Sequence, residues 1–224
     1  MPRIFDNINS HLLPTLQETL RTAERADFCV GYFNLRGWQQ LAPHNVKQRR
    51  GEERRGEERR GEERTEYAAT CRLLVGMHVT PSDELRHALR RQDNDELLDN
   101  QTAQRDKRRI AEEFRQQLTF GSPSNQDEAA LRQLAQQIHS GQLTVKVYLR
   151  HPLHAKLYLL FTPQFPNNPI TGFLGSSNLT LAGLSKQGEL NVDVLEHDAC
   201  NKLAAWFDDR WNDRWCIDIS KELA

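Results

Sequence analysis

The sequence has almost no excess of charge of either sign. It contains 30 Lys and Arg against 31 Asp and Glu, which gives a formal net charge of -1 at pH 7. Proteins that bind a polyanion through their overall charge are strongly basic. The balance therefore excludes overall basicity as a means of binding nucleic acid, and any such binding needs a local cluster of side chains.

Long apolar runs are also missing, since no stretch approaches the roughly 20 residues that a membrane-spanning helix needs. The N-terminal segment MPRIFDNINSHLL lacks a basic region followed by an apolar one, so no signal peptide is predicted. The four cysteines form no C-x-x-C pair, which argues against a zinc site and favours reduced, mostly buried thiols. We therefore expect a soluble, cytoplasmic protein with no membrane partner. The cysteines are Cys29, Cys71, Cys200 and Cys216.

The apolar pattern predicts helices and strands that alternate along the chain. Strands are predicted in ADFCVGYF, CRLLVGMHV, QLTVKVYLR, LHAKLYLL, TGFLG and ELNVDVLE. Helices are predicted over 9–25, from Leu35, from Pro81, on either side of the break at 121–126, and over 198–215. This order predicts an α/β domain with a mixed sheet flanked by helices.

The last predicted helix carries three aromatic residues at helical spacing, Phe207, Trp211 and Trp215. Such a stripe could stack on nucleic-acid bases. A stripe at this spacing more often packs into a core, and that interpretation is favoured.

Two polar stretches interrupt the pattern. Positions 49–64 read RRGEERRGEERRGEER, three copies of a five-residue unit with two Arg, two Glu and one Gly. An Arg-rich arm for nucleic acid is one interpretation, but the interleaved glutamates would repel phosphate, so a disordered, solvated insertion at about 47–66 is favoured. A helical insertion is expected at about 92–140. The whole chain, 1–224, is then one domain with two insertions.

Polar side chains recur on three of the predicted strands. In HPLHAKLYLLF, at 151–161, the period of two puts His154 and Lys156 on one face and the apolar residues on the other. Ser176 and Asn178 project together after TGFLG. In ELNVDVLE, the period of two puts three polar residues on one face, Glu189, Asn191 and Asp193. The other face has three residues that could pack against a core: Leu190, Val192 and Val194.

If these strands are neighbours, the polar groups converge at one edge of the sheet and suit a phosphodiester. Lysine supplies positive charge, while serine and asparagine supply neutral donors for phosphate oxygens. A neutral imidazole can attack phosphorus, and a carboxylate on its other nitrogen would hold the reactive tautomer. Lysine and the hydrogen-bond donors can stabilise the transition state, so neither a metal nor a cofactor is required. Taken singly, the histidine and Glu189 could equally be structural or merely exposed residues.

The ordered combination resembles a known signature. H-A-K at 154–156 followed by G-S-S-N at 175–178 is similar to the HxK…GSxN signature of the phospholipase D superfamily, and G-E-L-N at 188–191 is similar to the acidic position of its nuclease-like members. The resemblance implies a phospholipase D-like domain that cleaves phosphodiesters without metal through a phosphohistidine. It implies that His154 is the nucleophile or general acid, that Lys156, Ser176 and Asn178 hold the phosphate, and that Glu189 orients a histidine.

Further segments resemble the N-terminal module that precedes a helicase motor in some bacterial SNF2-type proteins. They are ADFCVGYFNLRGWQQL, CRLLVGMHVTPSDELR and WFDDRWNDRWCIDIS. The resemblance implies action on DNA in a helicase-linked processing or defence system. The sequence contains no motor domain and no Walker A motif, which leaves a fragment, a split gene product and a standalone protein as alternatives.

Two departures from the signature bear on function. The full signature is HxKx4D, and Phe161 occupies the position of its aspartate. Phospholipase D-type sites also use two histidines, whereas this chain has one HxK…GSxN set. We therefore expect a homodimer with the active site on its twofold axis. The rival hypothesis is a catalytically inactive module that binds nucleic acid or dimerises and positions a partner helicase.

Overall fold

The computed structural model describes residues 2–42, 71–76, 100–118 and 125–224. The repeat at 49–64 and the predicted helix from Pro81 lie outside these residues. The strands are β1 (Ile4–Phe5), β2 (Arg25–Val30), β3 (Cys71–Val75), β4 (Leu143–Tyr148), β5 (Leu157–Phe161), β6 (Ile170–Gly175), β7 (Asn191–Val194) and β8 (Cys216–Asp218). The α-helices are α1 (Leu12–Leu20), α2 (Leu35–Leu41), α3 (Asn100–Leu118), α4 (Asn125–His139), α5 (His197–Trp211) and α6 (Ser220–Leu223).

These strands form one eight-stranded sheet in the order β1-β7-β6-β5-β2-β3-β4-β8. The pairs β2/β3 and β3/β4 are parallel, and the other neighbours are antiparallel. Helices lie against both faces of this mixed sheet, so the predicted α/β class is confirmed.

The first two helices follow directly from their sequences. In α1, Leu12, Leu16 and Leu20 recur every four residues on one buried face, and Pro14 lies in the first turn, where its missing N–H is tolerated. The start of α2 is set by Asn34, whose side chain accepts a hydrogen bond from the backbone N–H of Gly37 at 2.8 Å.

The two polar helices predicted around 121–126 are present as α3 and α4. Each buries an apolar stripe in the same core cluster as α1 and α2, with Ile110 and Phe114 from α3 and Leu134 and Ile138 from α4. The polar composition of this stretch therefore belongs to the solvent faces of helices that also contribute to the core.

Apolar clusters lie on both faces of the sheet, and β5 contributes to each. Tyr158 and Leu160 belong to the cluster under α1–α4, while Leu157 and Leu159 belong to the cluster under α5. The prediction that only one face of this strand packs against a core is therefore wrong. Because β5 lies between β6 and β2 in the interior of the sheet, both of its faces are covered.

The aromatic stripe is confirmed as core for two of its three members. Phe207 and Trp211 are buried under α5 and stack with ring centroids 5.7 Å apart. The helix ends at Trp211 rather than continuing to position 215. Trp215 therefore lies in the following turn and is half-buried. No helix within the described residues is long and apolar enough to cross a membrane.

A buried ion-pair network joins β2, β3 and α5. The Asp27 carboxylate is fully buried and accepts hydrogen bonds from Arg72 Nε at 2.7 Å, Arg72 Nη2 at 2.6 Å and Arg25 Nη2 at 2.9 Å. Arg72 also pairs with Asp208 of α5 at 2.7 Å. Burial alone would lower the pKa of Arg72, but Asp27 and Asp208 outweigh that effect and raise it.

We predict that Asp27→Asn lowers the free energy of unfolding by about 3–5 kcal/mol, because it leaves the Arg72 charge buried without its main partner. Urea denaturation measures the loss. The matched control is Glu128→Gln, which breaks the exposed pair between Glu128 and Arg132 on α4 and should change stability by less than about 0.5 kcal/mol. Equal effects of the two changes would show that the network has no special role.

Candidate active site

The five predicted site residues lie at one edge of the sheet. β5 runs antiparallel to β2 and β6, so its first residue, Leu157, pairs with Cys29 near the end of β2 and with Leu174 near the end of β6. Gly175 in turn pairs with Asn191, the first residue of β7. The segments just before β5, just after β6 and just before β7 therefore meet at this edge. They carry His154, Lys156, Ser176, Asn178 and Glu189.

The segment with His154 is held in place by the end of β3. The N–H of Gly76 donates to the carbonyl of Val30 at 2.9 Å, and the N–H of Leu153 donates to the carbonyl of Gly76 at 3.0 Å. A Cβ on Gly76 would lie 2.1 Å from the Leu153 oxygen, so only glycine allows this approach. His154 follows immediately and is exposed. The prediction that His154 and Lys156 lie within the strand is wrong, because β5 begins at Leu157.

Lys156 is buried next to the backbone of this histidine. Its side chain reaches the His154 carbonyl oxygen at 3.0 Å, and the residue is only 3% exposed. Burial lowers the pKa of Lys156, and the negative charge of Glu189 opposes part of that shift. An ammonium group has three donors, so two remain for the oxygens of an anion at the sheet edge.

Ser177 is the fixed point of the segment after β6. Its N–H donates to Asn191 Oδ1 at 3.2 Å, its hydroxyl accepts from Asn191 Nδ2 at 2.8 Å, and its carbonyl accepts from the Tyr158 hydroxyl at 2.9 Å. Both Ser177 and Asn191 are buried. Because Ser177 is held toward the core, its neighbours Ser176 and Asn178 are left at the surface edge, exposed and half-buried respectively.

The sequence interpretation misses two positioning residues, Ser177 and Asn191. It gives Asn191 only a place on a polar strand face and leaves Ser177 as the unassigned position of G-S-S-N. The signal available was the period of two, which places Asn191 two residues after Glu189. Gly175 completes the arrangement, since a Cβ there would lie 2.2 Å from the Leu190 oxygen and 2.4 Å from Asn191 Oδ1.

Ser176 and Glu189 are joined directly. The Ser176 hydroxyl donates to the Glu189 carboxylate and accepts from the N–H of Leu190 at 2.9 Å. Among the residues that the structure describes, the side chain of Glu189 thus bonds a serine and not a histidine. Asn178 is oriented from another side, because its Oδ1 accepts the backbone N–H of Tyr32 at 2.9 Å. This contact leaves the Asn178 amide nitrogen to donate to a ligand.

The burial of β7 is the reverse of the prediction. Asn191 and Asp193 are buried, whereas Leu190 is 65% exposed and Val192 is half-buried. The reason is that β1 pairs with β7 and brings Arg3, whose main-chain N and Nε bond the Asp193 carboxylate at 2.5 and 2.6 Å.

The uncovered apolar side chains form a patch beside the site, here called the apolar edge patch. Ile4 and Leu174 both pair with Val192 across the sheet, so they share a face with Leu190. α5 covers this face farther along, where Gly172 lies next to Leu203. The patch consists of Ile4, Leu174 and Leu190, all exposed.

Phe161 lies at the other end of β5 from these groups. Its ring is covered by the Arg25 guanidinium at 3.7 Å, and its carbonyl accepts the N–H of Glu24. It follows Leu157 by four positions along the strand, a distance of about 13 Å. A side chain at this position therefore lies far from the edge that carries His154, and Phe161 takes no donor or acceptor away from that edge.

The donors collected at this edge suit an anionic ligand. The edge offers an ammonium group, an amide nitrogen and an imidazole, as Lys156, Asn178 and His154. Within the described residues, no group of three or more His, Cys, Asp or Glu side chains is placed to hold a metal ion.

One family model and several solved structures match this chain. The family model described as cardiolipin synthase, PLD-like domain, matches residues 70–211, more than half of the chain. No curated protein matches the chain.

Solved structures that resemble it have low sequence identity. Nuc from Salmonella typhimurium, a phospholipase D family member, is 12% identical with a TM-score of 0.47, and the match covers 97% of each chain. NucT from Helicobacter pylori is 8% identical with a TM-score of 0.49, and the match covers 97% of this chain and 98% of that one. Phosphatidylserine synthase from Haemophilus influenzae Rd KW20 is 12% identical with a TM-score of 0.47, covering 97% of this chain and 39% of that one.

We predict that Asn191→Ala lowers the free energy of unfolding by about 1–3 kcal/mol, because it leaves buried groups of Ser177 without partners. It should also weaken the binding of inorganic phosphate, since Ser176 and Asn178 are no longer held at the edge. Urea denaturation and calorimetric titration with phosphate measure the two effects. The control is Asn201→Ala on the exposed surface of α5, which should change neither. Unchanged phosphate affinity in Asn191→Ala would contradict the positioning role.

Proposed function

The chain belongs to the family described as cardiolipin synthase, PLD-like domain, and from that premise we propose that it is a metal-independent phosphodiesterase that acts on DNA. The observation that carries the proposal is the meeting of His154, Lys156 and Asn178 at one sheet edge. A nucleophile, a buried cation and a neutral donor are what a phosphodiester needs from a site without metal.

In the proposed reaction, an imidazole nitrogen of His154 attacks phosphorus. The new N–P bond forms as the P–O bond to the leaving group breaks, and that oxygen takes a proton from a second histidine acting as general acid. Water then attacks the phosphohistidine, returns its proton to the second histidine and releases His154. Lys156, Ser176 and Asn178 hold the non-bridging oxygens as charge develops.

DNA is proposed as the substrate because the G-E-L-N segment resembles the nuclease-like members of the superfamily. Glu189 of that segment accepts a hydrogen bond from the Ser176 hydroxyl within the proposed site. Action together with a partner helicase, in a DNA-processing or defence system, is part of the same proposal and rests on the resemblance of three segments to the N-terminal module of some bacterial SNF2-type proteins.

The first test is hydrolysis of bis(4-nitrophenyl) phosphate and of DNA in excess EDTA. We expect turnover by the wild type and a loss of at least about 10³-fold in His154→Ala, because a nucleophile cannot be replaced by its neighbours. The matched control is His197→Ala, an exposed histidine at the start of α5 beyond the opposite end of β7, which should keep full activity.

The rival hypothesis predicts a different outcome of the same experiment. A catalytically inactive binding module would show no turnover in the wild type or in His154→Ala, while both proteins bind DNA. That result would reject the phosphodiesterase. Phe161 gives the rival no support, because it lies at the opposite end of β5 from the site.

We further propose that the active form is a homodimer, because one chain supplies a single HxK…GSxN set and the reaction uses two histidines. The apolar edge patch supports this proposal. It lies beside Ser176 and Glu189 on a part of the sheet that α5 does not cover, so a twofold-related copy seated there would bring two sets together.

Mixing with an inactive variant tests the dimer. Random pairing of the wild type with a ninefold excess of His154→Ala leaves about one wild-type subunit in ten with a wild-type partner, so activity per wild-type subunit should fall about tenfold after subunit exchange. Leu190→Asp should sediment as a monomer and lose turnover, whereas Phe165→Asp, at an exposed apolar residue outside the patch, should do neither. Activity that is indifferent to mixing would contradict a shared site.

A further inference from the structure

Tyr32 lies at the rim of the site, and its aromatic side chain is not buried in the core. It follows β2, and the residue is 45% exposed. Its neighbour Phe33, by contrast, is buried and stacks on Phe114 of α3 with ring centroids 5.7 Å apart. An exposed aromatic beside packed neighbours is available to a ligand.

The backbone of Tyr32 is fixed to the phosphate-holding segment. Its N–H donates to Asn178 Oδ1 at 2.9 Å, and its carbonyl accepts the N–H of Leu179 at 3.2 Å. The N–H of Asn34 also donates to the carbonyl of Leu179, at 3.1 Å. The ring belongs to the residue whose backbone nitrogen orients Asn178, which places Tyr32 beside the segment proposed to hold the phosphate.

In a nucleotide a base adjoins each phosphate, so a ring beside the phosphate-holding segment is placed to meet the base next to a bound phosphate. An aromatic ring beside a phosphate site is the arrangement by which proteins bind single-stranded nucleic acid, since every base has a face that can stack. Paired bases inside a duplex already stack on one another, so their faces are not free to stack on a side chain.

We propose that Tyr32 is a substrate-binding residue that stacks on the base next to the scissile phosphate and makes the site select single-stranded over duplex DNA. This inference rests on the proposed function and names the form of its substrate. It uses no charge beyond Lys156, which agrees with the absence of overall basicity in the sequence.

Fluorescence anisotropy with the full chain carrying His154→Ala, which prevents cleavage, tests the proposal. The probes are labelled oligothymidylate, an abasic strand of the same length and a duplex. Adding Tyr32→Ala should weaken binding of oligothymidylate about 5- to 100-fold and leave the abasic strand unaffected. Tyr32→Phe should keep the affinity, because it keeps the ring. The parent should bind the duplex more weakly than oligothymidylate.

The matched control is Phe165→Ala, since Phe165 is similarly exposed, at 49%, and lies in the loop after β5 at the end away from the site. It should leave all affinities unchanged. Equal affinity of Tyr32→Ala and its parent for oligothymidylate would overturn the inference, as would an equal loss on the abasic strand or no binding by the parent. None of these outcomes touches hydrolysis of bis(4-nitrophenyl) phosphate in EDTA, which decides the phosphodiesterase separately.

Discussion

The paired hydrogen bonds between Ser177 and Asn191 are the constraint on which the site depends. They join the end of β6 to the start of β7 inside the core, and the Tyr158 hydroxyl from β5 adds a third contact to the same serine. Three strands are thereby locked in register at one edge. Because Ser177 is held inward, Ser176 and Asn178 on either side of it remain at the edge, where Ser176 meets Glu189.

The backbone around His154 is likewise held in place by close contacts. Gly76 at the end of β3 admits the Leu153 carbonyl at a distance that no other residue would permit, and Lys156 bonds the His154 carbonyl from below. The exposed imidazole is therefore attached to a backbone that Gly76 and Lys156 both hold in place. Sites built this way lose little freedom when they bind, because their supporting groups are already ordered.

Much of this could be predicted from the sequence, and the failures have physical causes. The strands β2 to β7 follow from their apolar patterns. The meeting of five polar residues at one edge follows from period-two patterns and from their ordered combination: His154, Lys156, Ser176, Asn178 and Glu189. The burial of Asn191 and Asp193 could not be predicted, because it depends on Arg3 and on Ser177, which lie in other strands or loops. A pattern within one segment cannot show which side of a strand a distant segment will cover.

The position of Lys156 bears both on the balanced charge of the chain and on the proposed homodimer. Its ammonium group is buried, and burial lowers the pKa of Lys156. Keeping the charged form there therefore lowers the stability of the folded protein. A second copy seated on the apolar edge patch would exclude more water from this edge and strengthen the attraction between that cation and a bound phosphate. Stacking on Tyr32 would then supply affinity that does not depend on charge. A chain with balanced charge could in this way hold a polyanion at one point without being basic overall.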